Sequence, residues 1–195
     1  MIVLGLTGSV GMGKSTAAAM FRRLRVPVHD SDAAVHRLQA PGGAAVAAIA
    51  AAFPGVMGKD CGIDRAALGR RVFGDAAALR RLERIVHPLV RRSEQRFLRQ
   101  ARARREPLVV LDVPLLFETK GERRCDKVVV VSAPRAVQRA RVMARAGMTE
   151  DRFRAILAKQ MPDREKRRRA DYVVPSGLGR RVTYRRLAGI VRELA

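Results

Sequence analysis

The stretch Gly8-Ser-Val-Gly-Met-Gly-Lys-Ser15 decides how this chain folds, because it satisfies the pattern G-x-x-x-x-G-K-[ST]. In such a loop the glycines let successive backbone N–H groups curl around phosphate oxygens at the N-terminus of a helix. Lys14 then neutralises the β and γ phosphates, and the Ser15 hydroxyl ligates Mg²⁺. A dinucleotide fingerprint is disfavoured, since Thr16 stands where its third glycine belongs. The stretch therefore predicts a nucleoside-triphosphate site.

The segments around this loop predict alternating strands and helices. Compact apolar runs predict strands at residues 2–6, 26–30, 108–112, 127–131 and 172–174. Helical patterns cover residues 14–24, 33–39, 44–53, 64–105, 135–169 and 182–194, with breaks expected at 41–43, Gly74-Asp75, His87-Pro88, Gly147 and Pro162. This alternation indicates an α/β domain with a mainly parallel sheet.

The composition limits the classes of function. A chain of 195 residues, 48% of them hydrophobic, suits one domain with its own core. Its 40 basic and 18 acidic residues give a net charge of +22, which favours polyanions: nucleic acid, an anionic membrane or phosphorylated small molecules. Arginine supplies 34 of the basic residues, an excess that codon bias also produces. With 4% aromatics and no tryptophan, a base-stacking surface for single-stranded nucleic acid is not expected.

Other classes are disfavoured by what the sequence lacks. Cys61 and Cys125 stand far apart, so neither a disulfide scaffold nor a zinc cage is expected. The apolar run at the N-terminus is too short for a signal peptide, and no window reaches the 18 or so apolar residues of a membrane span. We therefore expect a cytoplasmic protein without a membrane partner.

A pair of carboxylates, Asp30 and Asp32, flanks Ser31 at the end of the second predicted strand. Ligands of open α/β sheets bind at that edge, and one of the two could accept the proton of an acceptor hydroxyl. The alternative is that Asp32 or Ser31 only caps the helix that begins at Ala33. His36 lies on the same helical face as Asp32, and by itself it indicates packing or surface.

The strand 108–112 ends in Asp112, as a magnesium-binding acid of such a site would. The segment that follows, Val113-Pro-Leu-Leu-Phe-Glu118, is too apolar for an ordinary surface loop. It predicts either a functional segment or core packing under the edge of the sheet.

Taken together, these motifs resemble the dephospho-CoA kinase family over residues 5–174. The resemblance rests on Gly5 to Ser15, Asp30-x-Asp32-x-x-x-His36, Ile63-Asp-Arg65, Leu82-Glu83 with His87-Pro88, Asp112 with Pro114 to Glu118, Gln138 with Arg141 and Arg145, and Gln160 with Glu165-Lys166 and Ala170-Asp171. The phosphate loop is shared by many families, whereas the carboxylate, His-Pro and Pro-Leu-Leu-Phe-Glu motifs together are close to diagnostic.

The resemblance implies a fold and a reaction. The fold is a three-layer α/β/α P-loop NTPase core with a parallel sheet. It forms one domain over residues 1–195, with a helical CoA-binding insert at 60–105 and a helical lid at 141–169. The reaction is the ATP-dependent phosphorylation of the ribose 3′-hydroxyl of dephospho-CoA, with Mg²⁺, to give coenzyme A and ADP. Specific nucleic-acid binding is not implied, and a monomer or small homo-oligomer is expected.

The resemblance also assigns roles to individual residues. Lys14, Asp32 and Arg141 are implied as catalytic, with Asp32 as base or orienter for the 3′-hydroxyl and Arg141 as the group that stabilises transferring charge. The implied ATP contacts are Gly11, Met12, Gly13, Lys14, Ser15, Thr16 and Arg145. The implied substrate contacts are Thr7, Asp32, His36, His87, Pro114 and Leu115, and the implied metal ligands are Ser15 and Asp112.

Two departures from the family pattern affect these expectations. Ser9 replaces the second glycine of the loop, which is tolerable if its φ stays negative. Ser176 stands near the adenine site where asparagine is usual, so the preference for ATP over other triphosphates rests on the family alone.

On the residues alone, two other functions stay open. One is a small kinase of the same fold that acts on a nucleotide or a sugar-like acceptor. The other is a nucleic-acid-binding NTPase, which the net charge of +22 motivates. Scattered arginines without a recognised binding module argue against the second.

Overall fold

The computed structural model describes all 195 residues and contains a strand at each of the five predicted positions. In chain order the elements are β1 (Ile2–Thr7), α1 (Lys14–Arg23), β2 (Val28–Asp30), α2 (Ser31–Gln39), α3 (Val46–Ala52), α4 (Arg65–Val72), α5 (Ala76–Ala103), β3 (Leu108–Asp112), β4 (Lys127–Ser132), α6 (Arg135–Met143), α7 (Glu150–Ala158), α8 (Asp163–Arg169), β5 (Tyr172–Pro175) and α9 (Arg180–Leu194). A short 3₁₀ helix, Gly121–Arg124, precedes β4.

The five strands form one parallel sheet in the order β2-β3-β1-β4-β5. The central strand is β1, which pairs with β3 on one side and β4 on the other. In this register Leu6 lies opposite Asp112, and Thr7 lies opposite Val130. The carboxyl ends of β1 and β3 are therefore adjacent, which brings Asp112 to the same edge of the sheet as the loop that follows Thr7.

The sheet is buried on both faces, which explains why its strands are apolar throughout rather than alternating. Along β4, Val129 and Val131 belong to one core cluster, and Val128 and Val130 belong to another. The first cluster packs under helices α1 and α9, and the second packs under residues 116–117. This period of two places successive side chains on opposite faces, as in any extended strand. The α/β prediction is confirmed.

The chain divides into two compact units, one of Met1–His29 with Ala101–Ala195 and the other of Asp30–Gln100. The first unit contains the phosphate loop, β1, β3, β4 and β5. The second contains α2, α3, α4 and most of α5, and it has its own core, which includes Ile49, Phe53 and Val56. Most of the segment 60–105 lies in this second unit, and its role in binding CoA stays a prediction.

Helix α5 corrects one expectation, since it runs for 28 residues through Pro88 without ending at His87-Pro88. A proline inside a helix removes one hydrogen bond and costs about 3 kcal/mol. The apolar side chains of α5 around it, Val86 and Leu89 among them, pack into the core of the second unit. We attribute the continuation of the helix to this packing, which sequence punctuation does not reveal. None of the helices in this chain is both long and apolar enough to cross a membrane.

A glycine in the middle of the central strand has a packing reason. Gly5 lies in β1 between the fully buried Leu4 and Leu6. A Cβ atom at Gly5 would lie 2.8 Å from the Sγ atom of Cys125 and 2.9 Å from a methyl carbon of Leu116. Real Cβ atoms essentially never approach other atoms so closely, so a larger residue here would force the side chains of Cys125 and Leu116 to shift.

We expect Gly5→Ala to lower the free energy of unfolding by about 1–3 kcal/mol, the usual cost of overpacking a core. Cys125→Ala in the same chain removes the nearer of the two contacts, so Gly5→Ala/Cys125→Ala should recover part of the loss relative to Cys125→Ala alone. Urea denaturation of the three variants measures both effects. Equal unfolding midpoints for Gly5→Ala and the parent protein would contradict this packing argument.

Candidate functional site

The loop 8–13 has the backbone geometry of an anion site. Gly11 and Gly13 have φ angles of 76° and 88°, in the left-handed region that favours glycine. Gly13 is the N-cap of α1, and no side chain caps this helix. The first N–H groups of α1 are therefore left for a ligand, and the helix dipole adds partial positive charge there. The φ angle of Ser9 is not positive, so the loop tolerates a serine where the family pattern has a glycine.

An ion pair joins the first residue of α1 to the last residue of β3. The Nζ atom of Lys14 lies 2.6 Å from Oδ1 of Asp112. The Asp112 side chain is 2% exposed and that of Lys14 is 15% exposed, so both charges are largely removed from water. Ser15 and Thr16, which follow Lys14 in the first turn of α1, are exposed. The pairing of β1 with β3 creates this arrangement, because it places Asp112 beside the start of the loop.

The outer side of the loop is held by Arg141 and Ser176. The guanidinium of Arg141 donates to the Ser176 hydroxyl at 3.0 Å, to the Ser176 carbonyl at 2.8 Å and to the Gly11 carbonyl at 3.5 Å. The Ser176 hydroxyl in turn donates to the Met12 carbonyl at 2.7 Å. Ser176, the departure from the family pattern, is thus a structural support of the loop that sequence reasoning missed.

Val10 is bound by two glutamines from different segments. The Val10 N–H donates to Oε1 of Gln160 at 3.1 Å, and the Nε2 group of Gln138 donates to the Val10 carbonyl at 2.8 Å. Both glutamines appear in the family motifs, yet the sequence gives no reason for their type. Arg145, an expected ATP contact, is exposed.

Met12 holds the loop through its side chain. Its sulfur atom accepts the Ala133 N–H at 3.1 Å, and the residue is 3% exposed. The Met12 N–H also donates to the Ser9 carbonyl at 3.1 Å, so both the side chain and the backbone of Met12 fix the loop, and its contact with ATP stays a prediction.

The segment 113–118 divides into core and surface. Leu116 and Phe117 are buried and pack against β4, whereas Leu115 is 38% exposed. The Thr7 hydroxyl donates to the Pro114 carbonyl at 3.0 Å, and Thr7 is fully buried. The expected contact of Thr7 with the substrate stays a prediction, and in this structure the Thr7 hydroxyl bonds to the protein. Its role is to tie the end of β1 to this segment.

Asp30, the last residue of β2, and Asp32, in the first turn of α2, have carboxylates in different surroundings. Asp30 is the N-cap of α2, and its Oδ1 atom accepts the Ala33 N–H at 2.9 Å. The helix begins at Ser31, two residues earlier than expected, so neither Ser31 nor Asp32 is the cap. Asp32 and His36 are both exposed on α2. The capping alternative for Asp32 is therefore wrong.

A basic depression lies along α5 in the second unit. It measures about 870 Å³, and the residues that line it include Arg80, Arg84, His87, Arg91 and Arg92. His87 and the four arginines are exposed. Such a concentration of guanidinium groups suits a phosphate or diphosphate, which arginine binds in a bidentate manner.

A second ion pair connects the segment after β3 to α8. The Nζ atom of Lys166, a fully buried residue, lies 2.9 Å from Oε1 of Glu118, and the same oxygen accepts the Met161 N–H at 2.8 Å. Burial acts to raise the pKa of Glu118, but the hydrogen bonds from Lys166 and Met161 outweigh it and hold this pKa below the ordinary value of 4.5. The pair anchors the beginning of α8 on the core of the first unit.

Comparison with known proteins assigns this arrangement to one family. The family model described as dephospho-CoA kinase matches residues 2–178. A dephospho-CoA kinase from Paramagnetospirillum magneticum is 68% identical over 167 residues, which are 86% of this chain and 78% of that protein. Another from Mesorhizobium japonicum is 58% identical over 194 residues, which cover 100% of this chain and 97% of that protein.

Solved structures agree with the sequence relatives. A crystal structure from Thermus thermophilus superposes with a TM-score of 0.84 at 38% identity, covering 100% of this chain and 98% of that one. A dephospho-CoA kinase from Campylobacter jejuni shares the fold, with a TM-score of 0.68 at 22% identity over 99% of this chain and 97% of that one.

We expect Glu118→Gln to destabilise the protein by about 3 kcal/mol or more, because it leaves the fully buried ammonium of Lys166 without a counter-charge. Lys166→Met should cost less, since the Glu118 carboxylate keeps its hydrogen bond from the Met161 N–H and can be neutralised by a proton. A group whose pKa is lowered on folding contributes stability above its unfolded pKa and loses it as the pH falls. The stability gap between the parent and Glu118→Gln should therefore narrow as the pH falls from about 6 to about 3. Denaturation at several pH values measures the gap, and a constant gap would assign the effect to packing.

Proposed function

The chain belongs to the dephospho-CoA kinase family, so its activity is the ATP-dependent phosphorylation of dephospho-CoA, and we propose that the phosphoryl group goes to the ribose 3′-hydroxyl through Lys14, Asp32 and Arg141. The products are then coenzyme A and ADP, and the reaction is the last step of coenzyme A synthesis. The observation that supports the proposed catalytic role of Lys14 is its ion pair with Asp112 beside the loop 8–13.

In the proposed mechanism the loop binds the β and γ phosphates through the backbone N–H groups of Gly11 and of residues 13–16, because the Met12 N–H donates to the Ser9 carbonyl. Lys14 leaves Asp112 and moves its ammonium to the oxygens of these phosphates, where negative charge develops as the bond between the bridging oxygen and the γ-phosphorus breaks. The ion pair keeps Lys14 close to the loop before the nucleotide binds. The side chain is thus largely ordered in advance, which lowers the entropic cost of reaching the phosphates.

The residues beside the loop also fit a magnesium ion that arrives with ATP. Asp112 offers a carboxylate and Ser15 a hydroxyl, which are the hard oxygen ligands that Mg²⁺ uses. The chain contains no cluster of three or more His, Cys, Asp or Glu side chains able to hold a metal. This suits an ion that takes its remaining ligands from phosphates and water. Bound there, Mg²⁺ supplies charge neutralisation at the β and γ phosphates.

For Arg141, the proposed role is to stabilise charge on the transferring group. Its guanidinium contacts the Gly11 carbonyl at 3.5 Å and the Ser176 carbonyl at 2.8 Å, so in this role it leaves these partners when the nucleotide binds. Arg145, one turn further along the chain, is the proposed weaker partner for ATP.

Asp32 is the proposed base for the acceptor. It accepts the proton of the 3′-hydroxyl, and the oxygen then forms the new bond to the γ-phosphorus while ADP leaves. Support comes from the assignment of the cap to Asp30, so the exposed carboxylate of Asp32 in the first turn of α2 does not have to cap the helix. His36, one turn later on the same face and also exposed, is the proposed substrate contact beside it.

The basic depression on α5 is the proposed site for the diphosphate of dephospho-CoA. His87 and its neighbouring arginines are exposed and line the depression, so their side chains can contact a ligand. Segment 60–105 is accordingly proposed as the CoA-binding insert, and segment 141–169 as the lid over ATP. Pro114 and the exposed Leu115 are proposed as further contacts of the acceptor. The cytoplasmic location and the monomeric or small-oligomeric state stay predictions.

An acceptor screen with ATP and Mg²⁺ tests the function directly. We expect ADP release with dephospho-CoA to exceed that with AMP or adenosine by at least about tenfold, because the smaller acceptors forgo the contacts of the pantetheine diphosphate arm. Mass spectrometry of the product should find phosphate on the 3′-oxygen. Equal turnover of AMP would assign the protein to the nucleotide kinases, and salt-insensitive, sequence-specific DNA binding would favour the nucleic-acid NTPase.

We expect Asp32→Asn to lower kcat by about 10²- to 10⁴-fold without a change in melting temperature, because asparagine keeps the size of the side chain but cannot take up the proton. Asp30→Asn is the matched control two residues away. Asparagine caps helices as well as aspartate does, so this variant should keep the cap and lose much less activity than Asp32→Asn. An active Asp32→Asn beside an inactive Asp30→Asn would reverse the assignment.

A further inference from the structure

We propose that Gln138 and Gln160 are positioning residues for the nucleotide: together they fix the peptide groups on both sides of Val10 and so orient the loop N–H groups that meet the phosphates. The proposal rests on the proposed use of loop 8–13 as the ATP site. It gives a task to two residues that take no part in the mechanism above.

The two amides bind Val10 with opposite polarity. Gln160 accepts the Val10 N–H through Oε1 at 3.1 Å, and Gln138 donates through Nε2 to the Val10 carbonyl at 2.8 Å. A backbone N–H can only donate and a carbonyl can only accept, so the partners dictate which end of each amide faces Val10. Position 138 therefore requires a donor, and position 160 requires an acceptor.

The geometry of the peptide bond carries this constraint to the phosphates. Every peptide in the chain is trans, and in a planar trans peptide the carbonyl and the next N–H point in opposite directions. When Gln138 holds the Val10 carbonyl, the Gly11 N–H is turned to the other side of the loop. Glycine at position 11, with φ of 76°, offers little resistance of its own to a flip of this peptide. An external hydrogen bond is what keeps one orientation dominant.

The two glutamines come from α6 and from the segment proposed as the lid, so their hydrogen bonds connect these parts of the chain to the loop. Gln138 lies in α6, just before residue 141, and Gln160 lies between α7 and α8. Gln138 is 5% exposed, so its bond to Val10 is shielded from competing water. Both side chains line a cavity of about 350 Å³ next to Ser9 and Met12. Water that enters this cavity can solvate Val10 when a glutamine is replaced, so such variants should still fold.

The test compares five variants: Gln138→Leu, Gln160→Leu, Gln138→Glu, Gln160→Glu and, as the matched control for a net charge lowered by one unit, Arg185→Gln on the exposed face of α9. ADP affinity by calorimetry, KM for each substrate, kcat and the melting temperature of the free protein are measured for each. Both leucine variants should raise the ADP Kd and the KM for ATP by about 3- to 10-fold, the usual effect of one lost hydrogen bond. The KM for dephospho-CoA should not change.

The glutamate variants provide the sharper comparison, because they add the same charge with opposite consequences for Val10. Gln160→Glu keeps an acceptor for the N–H and should stay within about threefold of the parent. Gln138→Glu loses its donor and turns a carboxylate toward a carbonyl, so it should weaken ADP binding by about tenfold or more. Arg185→Gln should match the parent in every measurement.

Two results would overturn the proposal. Leucine variants that bind ADP as the parent does, whatever their melting temperature, would reduce the glutamines to structural partners of a buried backbone. Equal weakening in both glutamate variants would make charge, and not hydrogen-bond polarity, the cause. The Gln160 variants alone decide the matter if those of Gln138 do not fold. A parent protein that binds no ADP would instead contradict the proposed function.

Discussion

The backbone of residues 8–13 has to present N–H groups to phosphate, and a loop with three glycines does not keep that shape without outside contacts. In this protein its carbonyls are bound one after another from the other side. Gln138 holds the carbonyl of Val10, Arg141 that of Gly11, and Ser176 that of Met12. Because each trans peptide points its carbonyl and the next N–H in opposite directions, these contacts prepare the loop for an anion before one arrives.

The charges that serve the site differ from those that dominate the composition. Most arginines lie on the surface, where single charges contribute little to stability and are screened by salt. Two lysines instead form ion pairs in largely buried surroundings. Lys14 pairs with Asp112, and Lys166 pairs with Glu118. Both carboxylates belong to the run that begins with β3, so one strand and its continuation position the cation of the loop and anchor α8. The net charge of +22 therefore says little about the reaction.

Much of the fold was predictable, because the strands are buried on both faces and have uniformly apolar sequences. The errors are local and have physical causes. Helix α5 continues through Pro88, since the packing of its apolar face is invisible to a rule about proline. Asp30 caps α2, so the alternative that Asp32 or Ser31 caps this helix is wrong, because propensities at neighbouring positions do not resolve where a helix begins.

By itself the sequence determined the phosphate loop, the α/β class and the family, because these depend on residue type at fixed spacing along the chain. Only the tertiary structure decided which side chains support that loop. The strand order places Asp112 beside Lys14, which is 98 residues away in sequence. Gln160 and Ser176 reach the loop from 150 and 164 residues away. Spacing carries no information about such contacts, because parallel strands meet only after long crossover connections, and packing alone fixes which ends come together.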